Sequence, residues 1–227
     1  MTNPTTPHMA RYRQPADSGD DRLVAPTFLR NNPPMIATLT PWLTGRTGTV
    51  LEIGAGTGQH AAAFSLAFPE LTWRASDPDA PHRKSIAAWA KVLRAPEHDP
   101  LNIDGSQKWY EDNAVANLGA LDAIISMNVI HISPPQVMAG IFAGAGKLLA
   151  PDGLLIFYGP FSEFGVFSGE GNAKFDAGLR SENPDWGVRD IEELDWAADT
   201  NNLRRAALLA MPANNRIVIF RRAEVVF

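Results

Sequence analysis

One stretch constrains the fold more than any other: Val50-Leu51-Glu52-Ile53-Gly54-Ala55-Gly56-Thr57-Gly58-Gln59-His60, followed by Ala61-Ala62-Ala63-Phe64. A β-favouring run breaks into glycine at every second position and then into an Ala-rich segment, which predicts strand, tight turn and helix in that order. Such a turn lets backbone approach a ligand closely and points the first N–H groups of the helix toward it. Two details argue against a dinucleotide. A pyrophosphate binder spaces its glycines as G-x-G-x-x-G, and it gains nothing from a carboxylate two residues before the first glycine. Glu52 is such a carboxylate and would repel a phosphate; the plainer alternative is a solvated acid beside an ordinary tight turn.

The 227 residues suffice for one α/β domain and are too few for two full ones. Residues 1–22 mix Pro, Thr, Asp and Gly without an apolar period and read as a flexible lead-in, leaving 23–227 as a single domain. A hydrophobic content of 45% is enough for a well-buried core. The net charge of −5 disfavours sustained contact with a nucleic acid backbone or an anionic membrane. The absence of cysteine excludes disulfides, thiolate nucleophiles and Cys-ligated zinc, and fits a reducing cytoplasm. No signal core or membrane-length apolar run is visible, so the expectation is a soluble, cytoplasmic protein.

Upstream of the glycine stretch, Arg30-Asn31-Asn32-Pro33-Pro34 precedes a helical pattern from Met35 to Leu43. Downstream, Leu71 to Ser76 reads as a second strand ending at Asp77-Pro78-Asp79. An acid there, about 20 residues past the glycines, is placed to accept from ribose hydroxyls. Helix capping is the other reading for Asp77, and Asp79 is the better cap candidate. Ser85 to Leu93 reads as a helix, Leu101 to Asp104 as a short third strand, and Trp109 to Leu118 as a further helix. Leu121 to Ile132 contains an unbroken apolar run, as expected of a central parallel strand and its exit.

Asn128 and His131 therefore fall beyond a strand's carboxyl end, where ligands of such sheets bind. Ser133-Pro134-Pro135-Gln136 superficially resembles the Pro-Pro-aromatic turn of amino-methylating nucleic acid enzymes. The pair comes late, however, and Gln136 replaces the aromatic, so it reads as the start of a helix from Val137 to Leu149. Leu154 to Tyr158 is a fifth strand broken by Gly159-Pro160-Phe161, and the Gly- and Phe-rich 162–172 suits a mobile wall or lid. A short helix at 175–179, a helix at 191–201 and an edge hairpin formed by 205–211 and 216–222 complete the chain.

The acid-x-Gly-x-Gly-x-Gly run resembles the first motif of the class I S-adenosylmethionine-dependent methyltransferases. Met127-Asn128-Val129-Ile130-His131-Ile132-Ser133-Pro134, Tyr158-Gly159-Pro160-Phe161, Asn172-Ala173-Lys174-Phe175-Asp176 and Asn183-Pro184-Asp185-Trp186-Gly187-Val188-Arg189-Asp190, with the Arg30-Asn31 segment, further resemble a poorly characterised methyltransferase-like family of unknown function. The likeness spans roughly residues 25 to 225. It departs after Arg30-Asn31, where that family has a basic residue and an acid and this chain has Asn32-Pro33-Pro34.

The resemblance implies an α/β Rossmann-like, doubly wound sheet of seven strands, mostly parallel with one antiparallel, and helices on both faces. It implies S-adenosylmethionine as cofactor, with S-adenosylhomocysteine as product. The cofactor would be held by Glu52 toward its cationic methionine part, by Gly54, Ala55, Gly56, Thr57 and Gly58 of the turn, and by Asp77 and Pro78. Asp104 toward the adenine amino group, Asn128 and Asn31 complete that set; a plain turn acid is the alternative for Asp104.

Methyl transfer to an oxygen or nitrogen of a small molecule needs alignment above all, worth roughly 7–11 kcal/mol, and a base where the nucleophile carries a proton. His131 is the candidate base, with Tyr158 and Asn128 as orienting groups; packed core residues are the alternatives for His131 and Tyr158. No metal is demanded, since the histidines show no ligand spacing. A non-catalytic S-adenosylmethionine-binding sensor or scaffold and a NAD-dependent oxidoreductase are the competing functions. The acceptor and the oligomeric state are not encoded in any motif.

Overall fold

The computed structural model describes residues 19–223, so residues 1–18 of the expected lead-in lie outside the described residues. The chain runs α1 (Phe28–Leu43), β1 (Thr49–Ile53), α2 (Gln59–Ala67), β2 (Thr72–Ser76), α3 (Ala80–Leu93), α4 (Asn113–Ala116) and β3 (Leu121–Met127). It continues through α5 (Pro135–Leu148), β4 (Leu149–Glu163), β5 (Val166–Phe167), α6 (Glu170–Glu182), β6 (Arg189–Asp190), α7 (Ile191–Thr200), β7 (Leu203–Met211) and β8 (Asn215–Arg222).

The sheet order is β2-β1-β3-β4-β8-β7, with β5 and β6 pairing to the far end of β4. Strands β2, β1, β3 and β4 are parallel, and β8 lies antiparallel between β4 and β7. Eight strands thus replace the seven expected, while the mostly parallel α/β architecture is as read. The third strand shrinks to one bridge, Ser76 to Leu101. The last two strands do form a hairpin, but β8 is interior and only β7 is at the edge.

Alternation along β1 sends Leu51 and Ile53 to one core and Val50 to the other. The first core packs against α5 and α7 through Ile141, Phe142, Leu194 and Ala198. The second packs against α1, α2 and α3 through Met35, Leu39, Phe64 and Ile86. Helices therefore cover both faces, as a buried parallel sheet requires.

The helix expected from Trp109 to Leu118 is α-helical only over Asn113–Ala116, the short one at 175–179 extends over Glu170–Glu182, and three stretches differ more deeply from the sequence reading. Helix α1 starts at Phe28 and runs through Pro33, Pro34 and Pro41. Its buried Asn31, Met35, Leu39 and Leu43 recur every fourth residue, and burial of that stripe outweighs the hydrogen bonds the prolines remove. Strand β4 continues through Gly159 and Pro160, the latter sitting where the ladder to β8 ends, opposite Asn215. The stretch 162–172 is no loop: it pairs β4 with β5 across Phe164-Gly165 and then enters α6.

Candidate functional site

The strand order reverses between β1 and β3, and the carboxyl ends of β1, β2, β3 and β4 open into a cavity of about 670 Å³. That volume accommodates a nucleoside-sized ligand with a second small molecule beside it. Gly54, Ala55, Gly56, Thr57, Asp77, Pro78, Asp104, Asn31, Asn128, His131 and Tyr158 all line it. Glu52 and Gly58 do not.

Gly58 is instead the contact between α2 and α3. It adopts φ +82°, and a side chain there would strike the backbone of Ile86. Glu52 points away from the cavity, because alternation along β1 places it on the face of Val50. It is fully buried, Trp73 Nε1–H donates to its Oε2 at 2.7 Å, and Oε1 has no partner among the described residues. Burial, reinforced by the charge of Asp77 and opposed by the Trp73 hydrogen bond, pushes its pKa up to about 7. Glu52, expected to face the cofactor, thus stands behind the cavity lining instead of in it.

Asp77 is the centre of the cavity's end beyond β2. Its carboxylate is 5% exposed and accepts from Gly56 N–H at 2.9 Å, Asp79 N–H at 3.0 Å and His82 Nδ1 at 3.0 Å. One side chain thus joins the glycine loop, the start of α3 and an imidazole. Asp79 occupies the N-cap position of α3 without a side-chain cap bond. The ligand atoms of Asp77, Asp79 and His82 lie within 4.8 Å of one another, which the Asp77–His82 hydrogen bond explains. Asp104 closes this end; its Oδ1 accepts from the N–H and hydroxyl of Ser106, so it serves as a turn acid while also lining the cavity.

Three N–H groups of the glycine loop are consumed internally. Ala55 donates to Ser76 O at 2.8 Å, Gly56 to Asp77 and Gly58 to Ala55 O at 3.0 Å. A phosphate cradle needs such groups free. Hydroxyl groups, which donate to carboxylates, suit the Asp77 carboxylate, whereas a phosphate would meet its charge.

Asn128, His131 and Tyr158 meet at the other end. Asn128 leaves β3 in the left-handed conformation, φ +60°, and its N–H donates to Tyr158 O at 2.8 Å. Asparagine tolerates that backbone better than most residues. The His131 ring stands edge-on to Phe161, its Nδ1 faces the Arg189 N–H at 3.4 Å, and its Nε2 is buried without a partner among the described residues. Burial foremost, with the Arg189 charge adding, holds its pKa down at about 3, so the ring is neutral. Arg189 is itself buried, and its guanidinium donates to the carbonyls of Ile130, Ser133 and Asp185. Burial drives the Tyr158 hydroxyl up to about 12.

Sequence reasoning missed Arg30, His60, His82, Asn172, Phe175 and Trp186, which also line the cavity. His60 Nδ1 pairs with Asn32 Oδ1 at 3.1 Å, and burial lowers its pKa to about 4. The glycine motif had marked this neighbourhood, but only the tertiary fold brings α1 and α6 onto it.

Solved structures share this architecture. The mitomycin 7-O-methyltransferase MmcR aligns with a TM-score of 0.63 and 20% identity over 78% of this chain and 49% of its own. CalO1, a methyltransferase in calicheamicin biosynthesis solved with S-adenosylhomocysteine bound, gives 0.61 and 15% over 83% and 54%. An O-methyltransferase family 2 protein from Planctomyces limnophilus, solved with apigenin, gives 0.64 and 19% over 85% and 56%. The chain spans about half the length of these proteins, and the fold is the Rossmann-like one of S-adenosylmethionine-dependent methyltransferases. Residues 22–222 match one family throughout, and the chain belongs to it: the family described as "Protein of unknown function (DUF938)".

Proposed function

We propose that the cavity binds S-adenosylmethionine and that the protein methylates an oxygen or nitrogen of a small molecule, leaving S-adenosylhomocysteine. The observation that carries this reading is an acidic end of the cavity in which Asp77, lining it beside the glycine loop, accepts from the Gly56 N–H and sets a carboxylate where a phosphate would approach that group. Asp77, with Pro78 and Asp104, would hold the nucleoside, while Gly54, Ala55, Gly56, Thr57, Asn31 and Asn128 would flank the rest. When bound, the cofactor supplies a methyl group already activated by its sulfonium.

The protein's own work is then alignment, exclusion of water and disposal of one proton. Tyr158 and Asn128 orient the acceptor, and the buried surroundings of His131 keep water away. His131 Nε2 is the atom placed to take the acceptor's proton. Its low pKa makes it a poor base toward a free hydroxyl. Once the carbon–oxygen bond is forming, however, the acceptor oxygen is far more acidic than an imidazolium, so a weak base suffices late in the step. The two relatives whose names indicate a mitomycin and apigenin support a small acceptor, as does a net charge of −5.

Equilibrium binding tests the reading first. S-adenosylhomocysteine should bind and NADH should not; the reverse would reject it in favour of an oxidoreductase. Incubation with methyl-labelled S-adenosylmethionine and a cell extract should then yield labelled small molecules. Tight binding with no labelled product from any extract would favour the sensor instead.

A further inference from the structure

Charge along the cavity is segregated. The acids Asp77, Asp79 and Asp104 gather beyond β2 and the Leu101 bridge, whereas the one Lys or Arg among the lining residues is Arg30. Arg30 belongs to the first turn of α1, and its charge reaches Tyr158, which lies in β4 beside Met127 at the end of β3. β2 and β4 are three strand spacings apart in the sheet, about 14 Å. A ligand spanning that distance meets carboxylates at one end and a guanidinium at the other.

The fold gives Arg30 no role of its own. A cation in the first turn of a helix opposes the helix dipole, and α1 carries no acid there to offset it. No carboxylate among the described residues pairs with Arg30. Its Nε is instead fixed by the Oδ1 of Asn31 at 3.1 Å, and Asn31 is 7% exposed. That bond leaves both terminal nitrogens for another partner and holds the planar fork in a set orientation. The same cavity contains the buried, unpartnered Nε2 of His131, a second polar group awaiting a ligand.

We infer that Arg30, braced by Asn31, is a carboxylate-binding residue of the cavity, engaging an amino-acid or organic-acid carboxylate carried by the bound ligands. The inference rests on the proposed nucleoside donor, which itself ends in a carboxylate; an acidic acceptor is the other source of the same group. A guanidinium paired with a carboxylate in a fork makes two parallel charged hydrogen bonds, stronger than neutral ones.

Calorimetric titration of the full chain and of Arg30→Gln separates the sources. The two probes are S-adenosylhomocysteine and 5′-methylthioadenosine, which keeps the nucleoside and thioether but lacks the amino-acid part. The expected result is a loss of about tenfold or more in S-adenosylhomocysteine affinity with 5′-methylthioadenosine unchanged. Arg30→Lys should recover only part of it. If S-adenosylhomocysteine affinity is unchanged but the variant no longer labels products that bind an anion exchanger, the carboxylate is the acceptor's and the inference stands. Equal losses for both probes, or no change in either affinity or product pattern, overturn it. Failure of the unaltered protein to bind either nucleoside would instead defeat the donor reading, and this inference with it.

Discussion

Glu52 offers the sharpest test of the physical reading, because its charge state is set chiefly by burial. With Oε1 unpaired, the folded protein prefers the protonated acid and raises its pKa from 4.5 to about 7. The folded state therefore holds a proton that the unfolded chain releases. The stability this contributes is complete below about pH 4.5 and is lost as pH rises through about 7. The gap corresponds to about 3 kcal/mol, most of it lost between about pH 5 and 8, and to a melting shift of roughly 6–12 °C. Glu52→Gln keeps an acceptor for Trp73 and cannot ionise. The variant should match the natural protein near pH 5 and exceed it by about 2–3 kcal/mol near pH 8 in thermal or urea unfolding. Parallel pH profiles for the two proteins would show that Glu52 is ionised in the fold and would refute the reasoning.

Other substitutions address the cavity. Asp77→Ala removes the acceptor shared by Gly56, Asp79 and His82, and should weaken S-adenosylhomocysteine at least about tenfold in calorimetry; unchanged affinity removes the ribose assignment. His131→Ala should lower turnover about a hundredfold or more while leaving donor affinity intact. Because the ring gains charge only near pH 3, turnover in the natural protein should show no inflection from His131 between about pH 6 and 8, and an inflection lost in the variant would contradict this. Gly159→Ala places a methyl group against His131 Nε2 and within 3.2 Å of Asn128 Oδ1, so turnover at saturating donor should fall; an undisturbed rate would mean that the ring has room to move. Gly58→Ala combines a left-handed backbone with a clash at Ile86 and should cost roughly 2–5 kcal/mol in urea unfolding; a loss under about 1 kcal/mol would deny the close contact of α2 and α3.

Local signals carried much of this structure. The glycine spacing located the turn between β1 and α2, the apolar run located β3, and the acid closing β2 proved to join the glycine loop to the start of α3. What escaped was tertiary. Asn31-Met35-Leu39-Leu43 is a visible four-residue stripe, but the prolines at 33 and 34 read locally as a helix boundary, which moved Arg30 and Asn31 out of the helix. Glu52 alternates with Leu51 and Ile53, so its face is fixed relative to theirs. Which face looks toward the cavity depends on Trp73 and α2, and no neighbour in sequence reports that. His82 was dismissed for want of ligand spacing, yet its partner is the acid five residues earlier, brought to it by the turn into α3.

A glycine-rich turn between strand and helix serves phosphates in some folds, and where its backbone N–H groups go bears on whether it can. In this protein Asp77 reaches back to Gly56, while Ser76 O and Ala55 O accept from Ala55 and Gly58. The carboxylate proposed to receive ribose hydroxyls is thus the same group that occupies the Gly56 N–H, and its charge would repel a phosphate approaching the loop.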